Sequence, residues 1–209
     1  MIPRHQTIMF IVLLVASAIM GSVLWHLRER AHQRLLNGQD LAHTQAPQVA
    51  PAEQATLMVA SDADNSVLTR ILSLPLPQNP ESRARAVLGK LLDLYAAPDA
   101  THPVPGGASS IAQVFLVPIA DAGGKMTPSG PELAVINLTG TFAANHPSGL
   151  ETETLTVLSI CATLHANLPR VTEVRFLVDG QPRDTLAGHA DLTRTYLAAE
   201  AGPAQGTHP

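Results

Sequence analysis

His146, Glu153, Asp184, His189 and Asp191 are the residues whose types and spacing could do chemistry. Imidazole and carboxylate groups hold metal ions and carry protons, so a cell-wall hydrolase or metal-dependent enzyme would need His146, His189 and Asp191 to converge. A structural role explains them better. Asn145-His146-Pro147 stands just before a helix start, where polar side chains cap and order the chain, and Gly188-His189 reads as a turn. Nucleophiles are no better placed: Ser109, Ser110, Ser148 and Ser159 sit in no strand-flanked G-x-S-x-G elbow. Gly106-Gly107 and Gly123-Gly124 are isolated pairs rather than phosphate loops. The one cysteine, Cys161, falls in an apolar helical stripe, which makes it a core thiol and excludes an intrachain disulfide or a Cys-rich zinc site. No catalytic residue, metal or cofactor is expected.

The elements that must position these groups read clearly. Thr56 to Ser61 is strand material, Asp62 to Ser66 a polar turn, and Val67 to Leu76 a second strand whose Pro75 confines it to a sheet edge. Asn79-Pro80 is an N-cap with proline at the first helical position, and Ala84, Val87, Leu88, Leu91, Leu92 and Tyr95 recur at helical spacing after it. A Pro/Gly-rich loop from Ala97 to Ser110 leads to a strand at Gln113–Ile119 and its hairpin partner at Leu133–Leu138. Ser148-x-x-Glu151 reads as a capping box opening a second helix, with Val157, Ile160, Cys161, Leu164 and Leu168 as its buried stripe. A strand from Val171 to Val178 then turns at Asp179-Gly180 and returns through Gln181, Pro182 and Arg183. The expected fold is α+β, in the order ββαββαββ, with two helices on one face of a largely antiparallel sheet. Core packing accounts for Tyr95, Phe115 and Phe176, and with seven aromatics in the chain there is little material for a sugar-binding platform.

Composition sets the context. From Ala55 onward there are 9 Lys+Arg and 14 Asp+Glu, a balance of −5, which excludes a sequence-independent nucleic-acid binder. Residues 1–7 form a short leading segment. Ile8 to Leu27 is a 20-residue run whose only polar members are Ser17, Ser22 and His26, matching the ~20 apolar residues that span a bilayer core, with Trp25 as an interfacial anchor. The run is too long for a signal-peptide core and ends in no A-x-A site, so an uncleaved single anchor is expected. Residues 28–54 are a polar, Ala/Gln/Pro-rich linker, 55–201 one domain, and 202–209 a frayed tail. Positive-inside counting, with Arg4 before the span and Arg28, Arg30 and Arg34 after it, favours a cytoplasmic domain.

Asn137-Leu-Thr-Gly-Thr-Phe142, Asn145-His-Pro-Ser-Gly149, Glu153, Leu155 to Ile160, Val178-Asp-Gly-Gln181 and Thr185 to Leu192 together resemble the GerMN domain, the GerM-like module of sporulation and spore germination. The resemblance extends more loosely through Pro80 to Val87 and covers roughly residues 55–197. It implies a compact α/β fold similar to ring-building motifs, an anchored extracytoplasmic protein of the bacterial envelope, and a role in binding or assembly rather than catalysis. By the same resemblance, Asn145, His146, Gly149, Glu153, Asp179, Gly180, Gly188, His189 and Asp191 are the binding positions. The expected partner is an envelope protein or peptidoglycan, with oligomerisation open. Unlike the best-known members, this chain has one such domain and no lipobox cysteine.

Overall fold

The computed structural model describes residues 52–199, together with Ser17, Met20, Gly21, Ser22 and Trp25, which are helical. The rest of the expected span at 8–27, the linker up to residue 51 and the tail from residue 200 lie outside the described residues. Among the described residues no helix is long and apolar enough to cross a membrane.

The domain opens on a hairpin. β1 (Ala52–Ser61) pairs antiparallel with β2 (Ser66–Pro75), Ala52 opposite Pro75 and Ser61 opposite Ser66, and the two form a sheet of their own. β1 is the buried strand, with Ala55, Leu57, Met58 and Ala60 in the core. β2 is an outer edge, as its proline requires: Leu68, Thr69, Arg70 and Ile71 are all exposed, so both faces of the strand stand clear at its centre.

α1 (Pro80–Tyr95) begins where the N-cap pattern places it, with the Asn79 side chain accepting the Ser82 amide at 2.8 Å. The Ala84 to Tyr95 stripe is buried as the spacing requires. Asn79→Ala should cost about 1 kcal/mol and lower the melting temperature by a few degrees. An unchanged melt would remove the cap from the account.

The remaining strands build a second sheet in the order β3 (Ile111–Pro118), β4 (Glu132–Leu138), β5 (Val171–Val178), β6 (Tyr196–Leu197). Between β4 and β5 lie a short helix, α2 (Gly140–Asn145), and the long α3 (Leu150–Asn167). The α+β class holds, and the ββαββαββ expectation is corrected in three respects. There are two sheets rather than one, a six-residue helix is added, and the central pair β4/β5 is parallel. The parallel pair follows from connectivity, because α3 carries the chain back along the sheet before β5 begins. The Asp179-Gly180 turn forms, with φ of 49° and 76° as such a tight turn requires, but the return strand stops at a single bridge between Val178 and Gln181. Pro182 has no amide with which to extend it. The chain loops out and comes back as β6, which sets Tyr196 against Val174.

Inner and outer faces of this sheet differ. Val114, Ile136, Val174 and Phe176 point into the core shared with α1 and α3. Phe115, expected in the core, is 47% exposed on the opposite face, because the strand period turns it away from its buried neighbour Val114.

Candidate functional site

α3 carries two stripes. Ile160, Cys161 and Leu164 are wholly buried, as the apolar spacing predicts, and burial pushes the Cys161 thiol far above the usual thiol range, which makes it inert. A second stripe of Glu153, Thr156, Ser159 and Thr163 is equally buried although polar, and Asn167 continues it at the helix end. Burying polar side chains is costly unless each finds a partner, and each of these does.

Glu153 lies in the first turn of α3. Its Oε2 accepts the amides of Ala187, His189 and Ala190, each at 2.9 Å, and its Oε1 accepts His189 Nδ1 at 2.9 Å and the Gly149 amide at 3.2 Å. Burial pushes this carboxyl up, but the amides of Ala187 and Ala190 and the ring and amide of His189 outweigh it and hold the group at about 2. The expected capping box is therefore rearranged. Gly149 is the N-cap, Glu153 rather than Glu151 reaches back to it, and Ser148 turns to His189 Nδ1 at 3.4 Å. The carboxylate fastens the segment around Gly188 to the helix start.

One turn on, Thr156 Oγ1 lies between two imidazoles, at 2.7 Å from His102 Nε2 and 2.8 Å from His146 Nε2. His146 Nδ1 donates to the Pro147 carbonyl at 2.8 Å, and His102 Nδ1 meets Asp62 Oδ1 at 2.5 Å. Burial lowers the His146 pKa, favouring the neutral ring. A neutral ring that donates at Nδ1 accepts at Nε2, so the one Thr156 proton is shared between His146 Nε2 and the Thr152 carbonyl, 3.1 Å away. The network ties together the hairpin turn, the Pro-rich loop and the α2–α3 corner.

Farther along, Ser159 Oγ donates to the Thr156 carbonyl at 2.9 Å. Thr163 Oγ1 accepts the Met58 amide at 2.9 Å, and Asn167 both accepts the Thr56 amide at 3.0 Å and donates to the Thr56 carbonyl at 2.6 Å. With Tyr95 Oη accepting the Ala60 amide at 2.9 Å, the edge of β1 away from β2 is closed by side chains instead of another strand.

Most other motif positions pair with one another. Asp179 Oδ1 accepts the Gly140 amide at 2.8 Å, and the Gly180 amide donates to Asn137 Oδ1 at 2.7 Å, which docks the β5 turn on the β4–α2 junction. A Cβ at Gly140 would lie 2.2 Å from Asp179 Oδ2, so a side chain there would displace the carboxylate that accepts the Gly140 amide. Asp191 accepts from the amide and hydroxyl of Thr193, while Asn145 is exposed at the end of α2.

His146, His189 and Asp191 do not converge: each has separate partners, and among the described residues no three His, Cys, Asp or Glu side chains could hold a metal ion. Glu153, His189 and Ser148 do meet, yet both neighbours address Nδ1. A carboxylate-oriented general base needs its nucleophile on the other nitrogen, so this is not a hydrolytic triad. His102, Asp62 and Thr156 escaped the sequence reading. Thr156 could have been found from the polar period Glu153, Thr156, Ser159, Thr163, whereas His102 lies in an irregular loop with no such signal.

A family model described as Germane, sporulation and spore germination, matches residues 56–184. No curated protein matches the sequence. Among solved structures, the chain is similar to the tandem GerMN domains of the sporulation protein GerM from Bacillus subtilis, with 15% identity and a TM-score of 0.42, over 73% of this chain and 48% of that one. It is also similar to the first GerMN domain of that protein, with 16% identity and a TM-score of 0.39, over 71% of this chain and 98% of the other. The chain thus spans about half the length of the tandem structure.

Proposed function

Because the chain belongs to the Germane family of sporulation and spore germination, we propose that it is a non-enzymatic, membrane-anchored module of the bacterial envelope that binds a protein partner. The apolar run from Ile8 to Leu27 would be its single anchor, and the domain would face the extracytoplasmic side, within reach of envelope proteins and peptidoglycan. The observation that carries the reading is the outer edge of β2. Among the described residues its ten positions are paired on one side only, and Leu68 and Ile71 are 52% and 60% exposed there. Unpaired strand amides and carbonyls flanked by apolar side chains are what an added strand from a partner recognises. The polar groups that could have done chemistry are instead consumed in holding the fold, which supports binding over catalysis.

The test is photocrosslinking from position 69 in intact cells, compared between the wild type and a Leu68→Asp, Ile71→Asp double variant. The expected result is a discrete protein adduct that the double variant loses while its melting temperature stays within a few degrees of wild type. An adduct of equal yield from the double variant, or crosslinks to peptidoglycan alone, would sink the protein-partner reading. Protease added outside intact cells should remove the domain; protection would place it in the cytoplasm.

A further inference from the structure

Among the described residues nothing covers the outer face of the four-stranded sheet, and its side chains stand in rows set by the strand register. Phe115, Val135 and Arg175 form one row; Val117, Leu133, Glu173 and Leu197 form the next. Phe115, Val117 and Leu197 are 47%, 45% and 51% exposed, and Leu133, Val135 and Leu177 are half-buried between them. An apolar patch of this kind on a sheet that has helices on its other face is an interaction surface in want of a cover.

Two charges on β5 stand in the rows: Glu173 lies between Leu133 and Leu197, and Arg175 ends the row of Phe115 and Val135. Glu173 and Arg175 are two residues apart on β5, on the same face and in adjacent rows, and neither makes an ion pair with another described residue. We infer that the cover is a second copy of this chain, docked face to face about a two-fold axis that runs across the strands between the two rows. That axis lays each row on the other row of the partner. Phe115 then meets Val117 of the second copy, Val135 meets Leu133, and Arg175 meets Glu173, each contact occurring twice. Sheets stack ~10 Å apart, a distance these side chains bridge from both sides. The match is specific to a second copy because one surface supplies both charges in the order the other needs. The sheet face is separate from the β2 edge, so a dimer leaves the proposed partner-binding strand open.

By strand spacing the face measures roughly 15 by 20 Å, well short of the ~800 Å² per partner of a standard stable interface. The dimer is therefore weak and concentration-dependent, and its charges decide whether it forms.

Charge exchange on the full chain in detergent, read by sedimentation equilibrium, tests this. Glu173→Arg sets a second guanidinium against Arg175 at both contacts, Arg175→Glu sets a second carboxylate against Glu173 at both, and each should weaken the dimer by roughly tenfold or more. The double exchange restores opposite charges and should restore the dimer. Mixing the two single variants, each monomeric alone, should give a heterodimer in which every pair is again opposite, an outcome that misfolding of either variant cannot produce. A wild type that stays monomeric at every concentration, single variants that dimerise as well as wild type, or a mixture that stays monomeric would each overturn the inference. None of these outcomes bears on the β2 edge, whose crosslinking test stands separately.

Discussion

Glu153→Ala should lower the stability of the domain by about 3 kcal/mol, near 10 °C in melting temperature, among the largest losses expected from a single substitution of a polar residue. Alanine leaves the amides of Ala187, His189, Ala190 and Gly149 without their acceptor, in a place where water reaches poorly. Glu153→Gln should lie between alanine and wild type. Its carbonyl still accepts the three Oε2 amides, but its NH2 faces the Gly149 amide and the His189 ring, donor against donor. Acid titration gives an independent readout. The folded carboxyl sits at about 2, below its ordinary value near 4.5, so its contribution is fully present above pH 5 and is lost as pH falls toward 2. That loss, about 2 kcal/mol after screening, should be missing from Glu153→Gln. Circular dichroism melts between pH 2 and 7 measure both effects. A Glu153→Ala protein that melts within two or three degrees of wild type (~1 kcal/mol) would remove the carboxylate from the account of stability.

The second large effect is expected at Thr156. Valine matches threonine in shape but has no hydroxyl, so His102 Nε2 and His146 Nε2 lose the group that separates and satisfies them. Two buried ring nitrogens left facing each other should cost about 2 to 4 kcal/mol. Thr156→Ser keeps the hydroxyl and should retain most of the stability, which separates the hydrogen bond from the methyl packing. His146 adds a second acid-sensitive step. Burial lowers its pKa below 6.5, so under that pH the unfolded chain takes up a proton that the folded ring declines, and stability falls. Wild-type stability should thus decline in two stages on acidification, the first from His146 and the second from Glu153. A melting temperature for Thr156→Val equal to that of Thr156→Ser would show that the hydroxyl bridge contributes nothing.

Much of the fold was legible because local signals agreed with tertiary demand. Asn79-Pro80 opened a helix where it had to, Pro75 marked an edge strand, and Asp179-Gly180 made the turn its residues favour. Misreadings arose where two local rules fit equally well. Ser148 and Glu151 satisfy the capping-box pattern, yet Gly149 and Glu153 form the cap, and the Gly188 segment supplies three amides that Glu153 accepts. Phe115 reads as core from its type alone, and only the register shows which face it takes. The polar period of α3 was visible in the sequence but was hidden beneath a stronger apolar one on the same helix. Several motif residues hold the fold through bonds from more than 30 positions apart, as with Glu153 and His189 or Gly140 and Asp179.

The side chains that close the edge of β1 also set a timetable for biogenesis. Thr163 lies 105 residues after Met58, and Asn167 lies 111 after Thr56. At a synthesis rate of ~5–20 residues per second, the hairpin leaves the ribosome about 5 to 20 s before the residues that seal its inner edge. During that interval α1 and its Tyr95 are ready to meet β1, but the edge at Thr56 and Met58 stays bare, the condition in which nascent strands pair with the wrong neighbour. A chaperone or translocation channel that holds the chain extended for those seconds would protect the β1 edge until α3 arrives to close it.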